Sequence, residues 1–325
     1  MGGLNSMMLS TSYTLELQPS APFHFDGTLH KPSHFPSGDI VWQPGTLWTT
    51  RRVANESLGL KLENAGTVDA PRIRLTIFAG RSLTACEVAA VSDAVAYDFD
   101  LYADLAPFND LLERDELMRP VLGRWRGMRT MGGPLYESLV ICVMLQNATV
   151  RRSVQMLDNL FRAYGVLLHF DGQALHGFWP PQALDAAPEE DLRALKVGYR
   201  AKSLKRISGQ FARGECDDSG LRGLSNDELK RALLKIYGVG PATVWYLMFE
   251  VFHRNDAFDH VSPWEQKIYS RLLFDQELVP AGQVLAEVER RWGRWKMLAA
   301  HYLFEDLFWR RAHTPVPWLE DLIRL

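Results

Sequence analysis

Residues 233–248 constrain the fold of this chain most strongly, because they encode two helices joined by a tight glycine hairpin. An apolar approach leads to Gly238, Val239 and Gly240, and Pro241 then stands at the first helical position, where its missing N–H costs nothing. Apolar residues after Pro241 recur at helical spacing. Glycines let a ligand come close to the backbone, and the amides of a helix start lack partners within the helix. The stretch therefore predicts a small anion site that suits a nucleic-acid phosphate.

The composition limits the class of protein. A chain of 325 residues is long enough for two domains, and 47% hydrophobic residues suffice for packed cores. The longest apolar runs are shorter than a membrane span, and residues 1–30 lack a secretory signal pattern. The three scattered cysteines fit a reducing compartment and exclude a four-cysteine zinc or iron-sulfur site within the chain. We therefore expect an intracellular protein, cytoplasmic or associated with the nucleoid or nucleus, that has no membrane partner.

The net charge of −3 argues against a nucleic-acid partner at first sight, because such proteins are usually basic. The distribution of charge weakens this objection. Basic residues cluster at 119–129, at Arg151 and Arg152, and at 193–206, whereas acidic residues gather at 185–191 and 215–218. A local basic face can bind phosphates on a protein that is slightly acidic as a whole.

The hydrophobic period changes along the chain. Residues 58–62 and 72–78 alternate with the two-residue period of half-buried strands, and the turn signal Asn64-Ala65-Gly66 lies between them. The later part has a helical period, and it predicts helices at 135–146, 150–164, 189–196, 199–212, 226–236, 241–253, 263–274, 281–291 and 293–310. Ser262 and Glu265 frame a capping box with Pro263 at the first helical position. These patterns predict an α+β fold in which a small antiparallel sheet domain, residues 1–112, precedes a mainly α-helical domain, residues 113–325.

Five landmarks in this order resemble the HhH-GPD superfamily of helix-hairpin-helix DNA glycosylases. They span roughly residues 115–310, and the terminal helix is most like the branch that contains 3-methyladenine DNA glycosylase II. They are the helix that ends in Gln146-Asn147, the segment 178–195, Gly198-Tyr199-Arg200-Ala201-Lys202, the hairpin at 233–248, and the segment 292–303. The resemblance implies a bundle of helices behind an N-terminal sheet domain. It also implies the hydrolysis of the bond between a damaged, flipped base and its deoxyribose.

A catalytic carboxylate is expected past the hairpin, where it would stabilise the positive charge that builds on the sugar. Asp259 is the first candidate, since it follows Ala257 and Phe258 as the family's Asp follows a short apolar run. Alignment from the following helix moves the position to Glu265 or to Ser262, and Ser262 would imply an inactive protein. Glu265 also has a purely structural role open to it, as the third residue of the capping box.

The resemblance also bears on the class of mechanism. Bifunctional members carry a Lys two residues past the second hairpin glycine, and this chain has Ala242 there. A monofunctional glycosylase, without AP-lyase activity, is therefore expected. The alternatives are a glycosylase for oxidised or deaminated bases and a non-catalytic protein that binds DNA damage.

The expected partner is double-stranded DNA with a damaged base, and the branch that the chain resembles implies an alkylated one. The chain is expected to bind it as a monomer. Trp245 and Trp264 are the candidates for the base pocket, since aromatic faces attract cationic bases. No iron-sulfur cluster, metal site or organic cofactor is expected, although the resemblance allows a monovalent cation on the hairpin carbonyls near Tyr237 and Gly240. The predicted DNA-binding residues are Gln146, Asn147, Arg151, Tyr199, Arg200, Lys202, Gly238, Gly240, Thr243 and His260.

Overall fold

The computed structural model describes residues 5–34, 36–53 and 56–323. Within these residues the strands are β1 (Ser6–Met8), β2 (Thr11–Leu17), β3 (Ile40–Gln43), β4 (Thr46–Val53), β5 (Glu56–Asn64), β6 (Ile73–Ala79), β7 (Val166–Phe170) and β8 (Gln173–Gly177). The helices of the first half are α1 (Phe25–Leu29), α2 (Ala85–Asp98), α3 (Ala106–Arg114), α4 (Arg119–Trp125), α5 (Leu135–Leu145) and α6 (Val150–Tyr164). The helices of the second half are α7 (Pro181–Ala186), α8 (Glu189–Leu192), α9 (Arg200–Ala212), α10 (Asp218–Arg222), α11 (Asn226–Leu233), α12 (Pro241–Glu250), α13 (Pro263–Phe274), α14 (Ala281–Trp292), α15 (Lys296–His313) and α16 (Pro317–Ile323). The predicted α+β class is confirmed.

The N-terminal sheet is antiparallel, with the strand order β2-β6-β5-β4-β3. Along β6 the side chains of Ile73, Leu75 and Ile77 are buried, whereas Arg74 is exposed. This is the two-residue alternation that the sequence predicts for a half-buried strand. The buried face packs against α1 and α2 in one apolar cluster. The predicted strands at 58–62 and 72–78 correspond to β5 and β6.

A second, three-stranded sheet was not predicted. Its order is β1-β7-β8, with β1 parallel to β7 and β7 antiparallel to β8. Asp171 and Gly172 join β7 to β8 with positive φ angles, and this dipeptide is a recognised hairpin signal. Phe170 of β7 lies against Gly59 of β5, where an added Cβ atom would stand 2.6 Å from the Phe170 ring. Gly59 is therefore required for the close packing of the two sheets.

The helices pack into two lobes around separate apolar clusters. The first lobe contains α5–α9, α11 and most of α12, and the second lobe contains α3, α4 and α13–α15. Helix α12 joins the lobes, since Leu247 and Met248 pack in the first lobe and Phe249 packs in the second. Side chains of both lobes therefore meet at α12.

The predicted domain boundary between residues 112 and 113 lies inside α3. Phe108 and Leu112 of this helix are buried in the second lobe. The division into 1–112 and 113–325 stays a prediction, and its outermost residues, 1–4 and 324–325, lie outside the described residues. Among the described helices, none combines the length and the apolar character that a bilayer crossing needs.

Candidate functional site

The hairpin has the backbone geometry that its glycines predict. Gly238 has a φ of +75°, in the left-handed region that L side chains rarely adopt. Gly240 is the N-cap residue of α12 with extended backbone angles, and no side chain of the described residues caps this helix start. An added Cβ atom at Gly240 would meet nothing within 4 Å among the described residues. The amides at the start of α12 are therefore open to an anion.

A polar edge lies beside the hairpin, and we define it by Gln146, Asn147 and Tyr199. The Nε2 atom of Gln146 lies 3.5 Å from the carbonyl oxygen of Gly238. The Nδ2 atom of Asn147 lies 3.4 Å from the hydroxyl oxygen of Tyr199, which is 54% exposed. Three of the predicted DNA-binding residues and the hairpin thus form one continuous surface.

Arg200 is placed differently from the expectation, because its guanidinium is buried. Its Nε atom donates to the carbonyl oxygen of Val143 at 3.0 Å, and a terminal nitrogen donates to the carbonyl oxygen of Gln146. These bonds hold the polypeptide turn that follows α5. The geometry therefore favours Arg200 as a residue that positions Gln146, and not as a phosphate ligand.

The other predicted DNA-binding side chains surround the hairpin less tightly. Lys202 and Arg151 are exposed, and Thr243 and His260 are half-buried. Arg151 lines a groove of about 520 Å³ between α6 and the segment 36–38. These residues are accessible, but contacts among them do not define a single site.

Asp259 lies in a groove of about 340 Å³ that Trp245 also lines. Its side chain is 54% exposed, and its Oδ1 atom lies 2.7 Å from the ammonium group of Lys296. The same ammonium group lies 2.9 Å from an oxygen of Glu289. Asp259, the first carboxylate candidate, is thus already paired. The residues described as lining its groove do not include those of the polar edge.

Glu265 lies in the first turn of α13, where the predicted capping box is present. Its Oε2 atom accepts a hydrogen bond from the Ser262 amide at 2.9 Å, and the Ser262 hydroxyl oxygen accepts one from the Glu265 amide at 3.3 Å. Its neighbour Trp264 packs edge-on against Phe304 of α15. The structure therefore places Trp245 in the groove of Asp259 and packs Trp264, the sequence neighbour of Glu265, on Phe304.

A buried group of ionisable side chains was missed by the sequence analysis, and we call it the inner cluster: Lys31, Glu250, His301 and Glu305. Burial raises the pKa of the Glu250 carboxyl and lowers the pKa of the Lys31 ammonium. One sequence signal could have revealed it, because Glu250 is the sole charged residue in the run 239–252. His301 and Glu305 are one helical turn apart on α15, but no local pattern joins them to Glu250 or to Lys31.

Comparison with known proteins agrees with this architecture. The profile described as HhH-GPD superfamily base excision DNA repair protein matches residues 140–296. A Bacillus subtilis protein named DNA-3-methyladenine glycosylase is 25% identical over 215 residues, which is 65% of this chain and 70% of that protein. A protein of Methanothermobacter thermautotrophicus named probable N-glycosylase/DNA lyase is 26% identical over 200 residues, 55% of this chain and 63% of that protein.

Solved structures share the fold over nearly the whole chain. The 3-methyladenine DNA-glycosylase from Archaeoglobus fulgidus superposes with a TM-score of 0.74 at 17% identity, and the match covers 93% of this chain and 100% of that one. The 8-oxoguanine glycosylase/lyase of Clostridium acetobutylicum superposes with a TM-score of 0.69 at 19% identity and covers 94% and 99%. Such low identities establish the fold alone. Taken with the profile match and the glycine hairpin, they agree with the resemblance inferred from the sequence: residues 140–296 of this chain form a domain of the HhH-GPD superfamily of base excision DNA repair proteins.

Proposed function

We propose that this protein is a monofunctional DNA glycosylase that hydrolyses the N-glycosidic bond of a flipped, alkylated base, acting as a monomer on intracellular double-stranded DNA. The observation that carries the proposal is the open start of α12 beside the polar edge. The amides there can hold one phosphate, and Gln146 or Asn147 can enter the duplex where the base has left. The name of the Bacillus subtilis relative supports alkylated bases as the substrate class.

The proposed carboxylate is Glu265, with Asp259 as its alternative. Asp259 is partly neutralised by Lys296, in a groove lined by residues of α11, α12, α14 and α15. Glu265 lies at the N-terminus of α13, where the helix dipole stabilises negative charge. Burial raises the pKa of the Tyr269 phenol, and the nearby negative charges of Glu265 and of Glu305 in the inner cluster raise it further. The preference for Glu265 therefore rests on this helix start and on the pairing of Asp259 with Lys296.

The first experiment is base release from duplexes that each carry one lesion: 7-methylguanine, 3-methyladenine, hypoxanthine, 8-oxoguanine or uracil. The expected result is release of a methylated purine. Release of 8-oxoguanine or hypoxanthine alone would replace the alkylated class by an oxidised or deaminated one. No release from any duplex, with tight binding to a damaged one, would overturn the proposal.

The last result would favour the second candidate function, a damage-binding protein without catalysis. One observation supports that candidate, because each predicted carboxylate already has a bonding partner, Lys296 for Asp259 and the Ser262 amide for Glu265. The first experiment separates the two functions, since only the enzyme releases a base. The expectations of no metal and no organic cofactor, and of a cation on the hairpin carbonyls, stay predictions.

Blocking the hairpin should weaken DNA binding without unfolding the protein. Gly240→Asp places a carboxylate at the N-cap of α12, where Asp is a favourable capping residue. This carboxylate would accept hydrogen bonds from the amides that would otherwise hold the phosphate. We expect affinity for a duplex with an abasic-site analogue to fall at least roughly tenfold at low salt. Fluorescence anisotropy measures the affinity, and thermal melting checks the fold.

The matched control is Gly282→Asp, which adds the same charge to an open glycine in the first turn of α14. This control should bind the duplex as the wild type does. Equal loss of affinity in both variants would mean that net charge decides binding, and not the hairpin.

Strand cutting should require alkali. Ala242 is exposed in the first turn of α12 and offers no amine for a Schiff base with the sugar. Borohydride should therefore trap no covalent complex between the wild type and a lesion duplex, and abasic products should break only after alkali. The variant Ala242→Lys supplies an amine at that position as a test of the trapping assay. A borohydride adduct with the wild type would contradict the monofunctional proposal.

A further inference from the structure

The inner cluster joins the N-terminal segment to α12 and α15. The ammonium group of Lys31 donates to the carbonyl oxygen of Gly27 at 2.7 Å and to that of Arg129. The carboxylate of Glu305 accepts from the amide and the hydroxyl of Ser33, at 3.1 and 2.5 Å. These two groups are well bonded, and they fix the positions of their neighbours.

Two polar atoms of the inner cluster lack a partner. Neither Glu250 Oε2 nor His301 Nε2 has a hydrogen-bond partner among the described residues, although both side chains are more than nine-tenths buried. Buried polar atoms of native proteins are nearly always satisfied, so unsatisfied ones need an explanation. A ligand that brings its own polar atoms is such an explanation.

Two half-buried residues, Cys142 on α5 and Tyr246 on α12, lie near Glu250. Cys142 lies one helical turn before Gln146 on α5, and Tyr246 lies one turn before Glu250 on α12. Both keep part of their surface accessible, whereas Glu250 is buried. Burial raises the pKa values of Cys142 and Tyr246, and the next cause for each is the nearby Glu250. Helices α5 and α12 therefore lead from the polar edge and the hairpin to the neighbourhood of the Glu250 carboxyl group.

Ionisation of both carboxyl groups would leave the inner cluster with one negative charge in excess. It holds two carboxyl groups and one ammonium group, and burial lowers the pKa of the His301 imidazole well below its usual range. A second buried carboxylate is costly without a cation, and the raised pKa of Glu250 is consistent with that cost. An incoming cation would complete the charge balance.

We propose that the inner cluster is the specificity site of this protein, and that Glu250 selects a base with a positive charge, such as a purine methylated on a ring nitrogen. This inference rests on the proposed function, because it takes the flipped base as the ligand. It differs from selection by stacking, since Trp245 lines another groove and Trp264 packs on Phe304. His301 Nε2 supplies a second contact to the edge of the base.

The test compares two bases of the same shape and different charge. One duplex carries 7-methylguanine on a 2′-fluorinated sugar, which is cationic and resists hydrolysis, and the other carries the neutral 7-deaza-7-methylguanine. A third duplex carries an abasic-site analogue. We expect the wild type to bind the cationic base roughly 10- to 100-fold more tightly than the neutral one, the range of one charge-assisted hydrogen bond. Glu250→Gln should bring this ratio to within about threefold and leave affinity for the abasic duplex unchanged.

Glu305→Gln is the second variant, and it keeps the test possible if Glu250→Gln fails to fold. It should also reduce the ratio of the affinities for the cationic and the neutral base. The matched control is His253→Asn, which changes a buried imidazole just after α12 that is bonded to Thr130, outside the inner cluster. Asn tolerates the positive φ of this position. The control should keep the wild-type ratio.

The outcomes separate this inference from the proposed function. A ratio near one in the wild type, a preference for the neutral base, or an unchanged ratio in folded Glu250→Gln and Glu305→Gln overturns the specificity site, whether or not bases are released. A ratio that depends on Glu250, in a protein that releases no methylated base, keeps the specificity site and overturns the enzyme.

Discussion

Glu265→Gln is expected to lower the rate of base release by roughly 100- to 1000-fold, the size of the loss when one electrostatic contributor to a transition state is removed. The change removes the negative charge that would stabilise the sugar cation and orient the water. It should leave the fold intact, because Gln at the third helical position also completes a capping box. Single-turnover release of a methylated purine, with thermal melting of each variant, measures both effects.

Glu228→Gln is the matched control for this prediction. Glu228 completes the same capping box with Ser225 at the start of α11, so the variant repeats the chemical change at another helix start. It should release bases at the wild-type rate. Asp259→Asn should retain most of the activity, because its carboxylate already pairs with Lys296. Loss of activity in Asp259→Asn with retention in Glu265→Gln would reverse the assignment.

The periodic and local features of the fold were predictable from the sequence. The helical period gave the helices from residue 135 onward to within a few residues, and the capping box fixed the start of α13 at Pro263. The β7–β8 hairpin was overlooked, although Asp171-Gly172 signals a tight turn. Short elements such as α7 and α10 have too few residues to display a period, and tertiary packing stabilises them.

The candidate site was predictable only where it is local. The hairpin and the turn at Gln146 carry their own glycine and polar signals, and the structure places them side by side. The pairing of Asp259 with Lys296 joins segments 37 residues apart in sequence, and a sequence pattern does not encode it. The inner cluster assembles Lys31 with Glu250 and Glu305 across most of the chain, so the contacts exist only after the N-terminal segment docks on α12 and α15.

The docking of that segment leads to the prediction with the largest effect on stability, that Arg129→Ala lowers the free energy of unfolding by about 3–5 kcal/mol. The Arg129 side chain is almost fully buried, and its terminal nitrogens donate to the carbonyl oxygens of Asp100, Ala103 and Ser20 at 2.6–2.8 Å. Truncation would leave these acceptors buried without a donor, and it would remove a charge-assisted bond from each.

Arg126→Ala is the matched control. Arg126 lies three residues before Arg129, and its side chain pairs with the exposed Asp69. Exposed pairs contribute about 0–1 kcal/mol, so urea unfolding should separate the two variants clearly.

Arg129 also affects specificity, since its backbone oxygen accepts a hydrogen bond from the Lys31 ammonium of the inner cluster. At temperatures where Arg129→Ala is still folded, its preference for the cationic base should therefore fall below that of Arg126→Ala. A loss of stability below 1 kcal/mol, or an unchanged preference, would mean that the N-terminal segment is held on the lobes by apolar contacts and that Arg129 does not position Lys31.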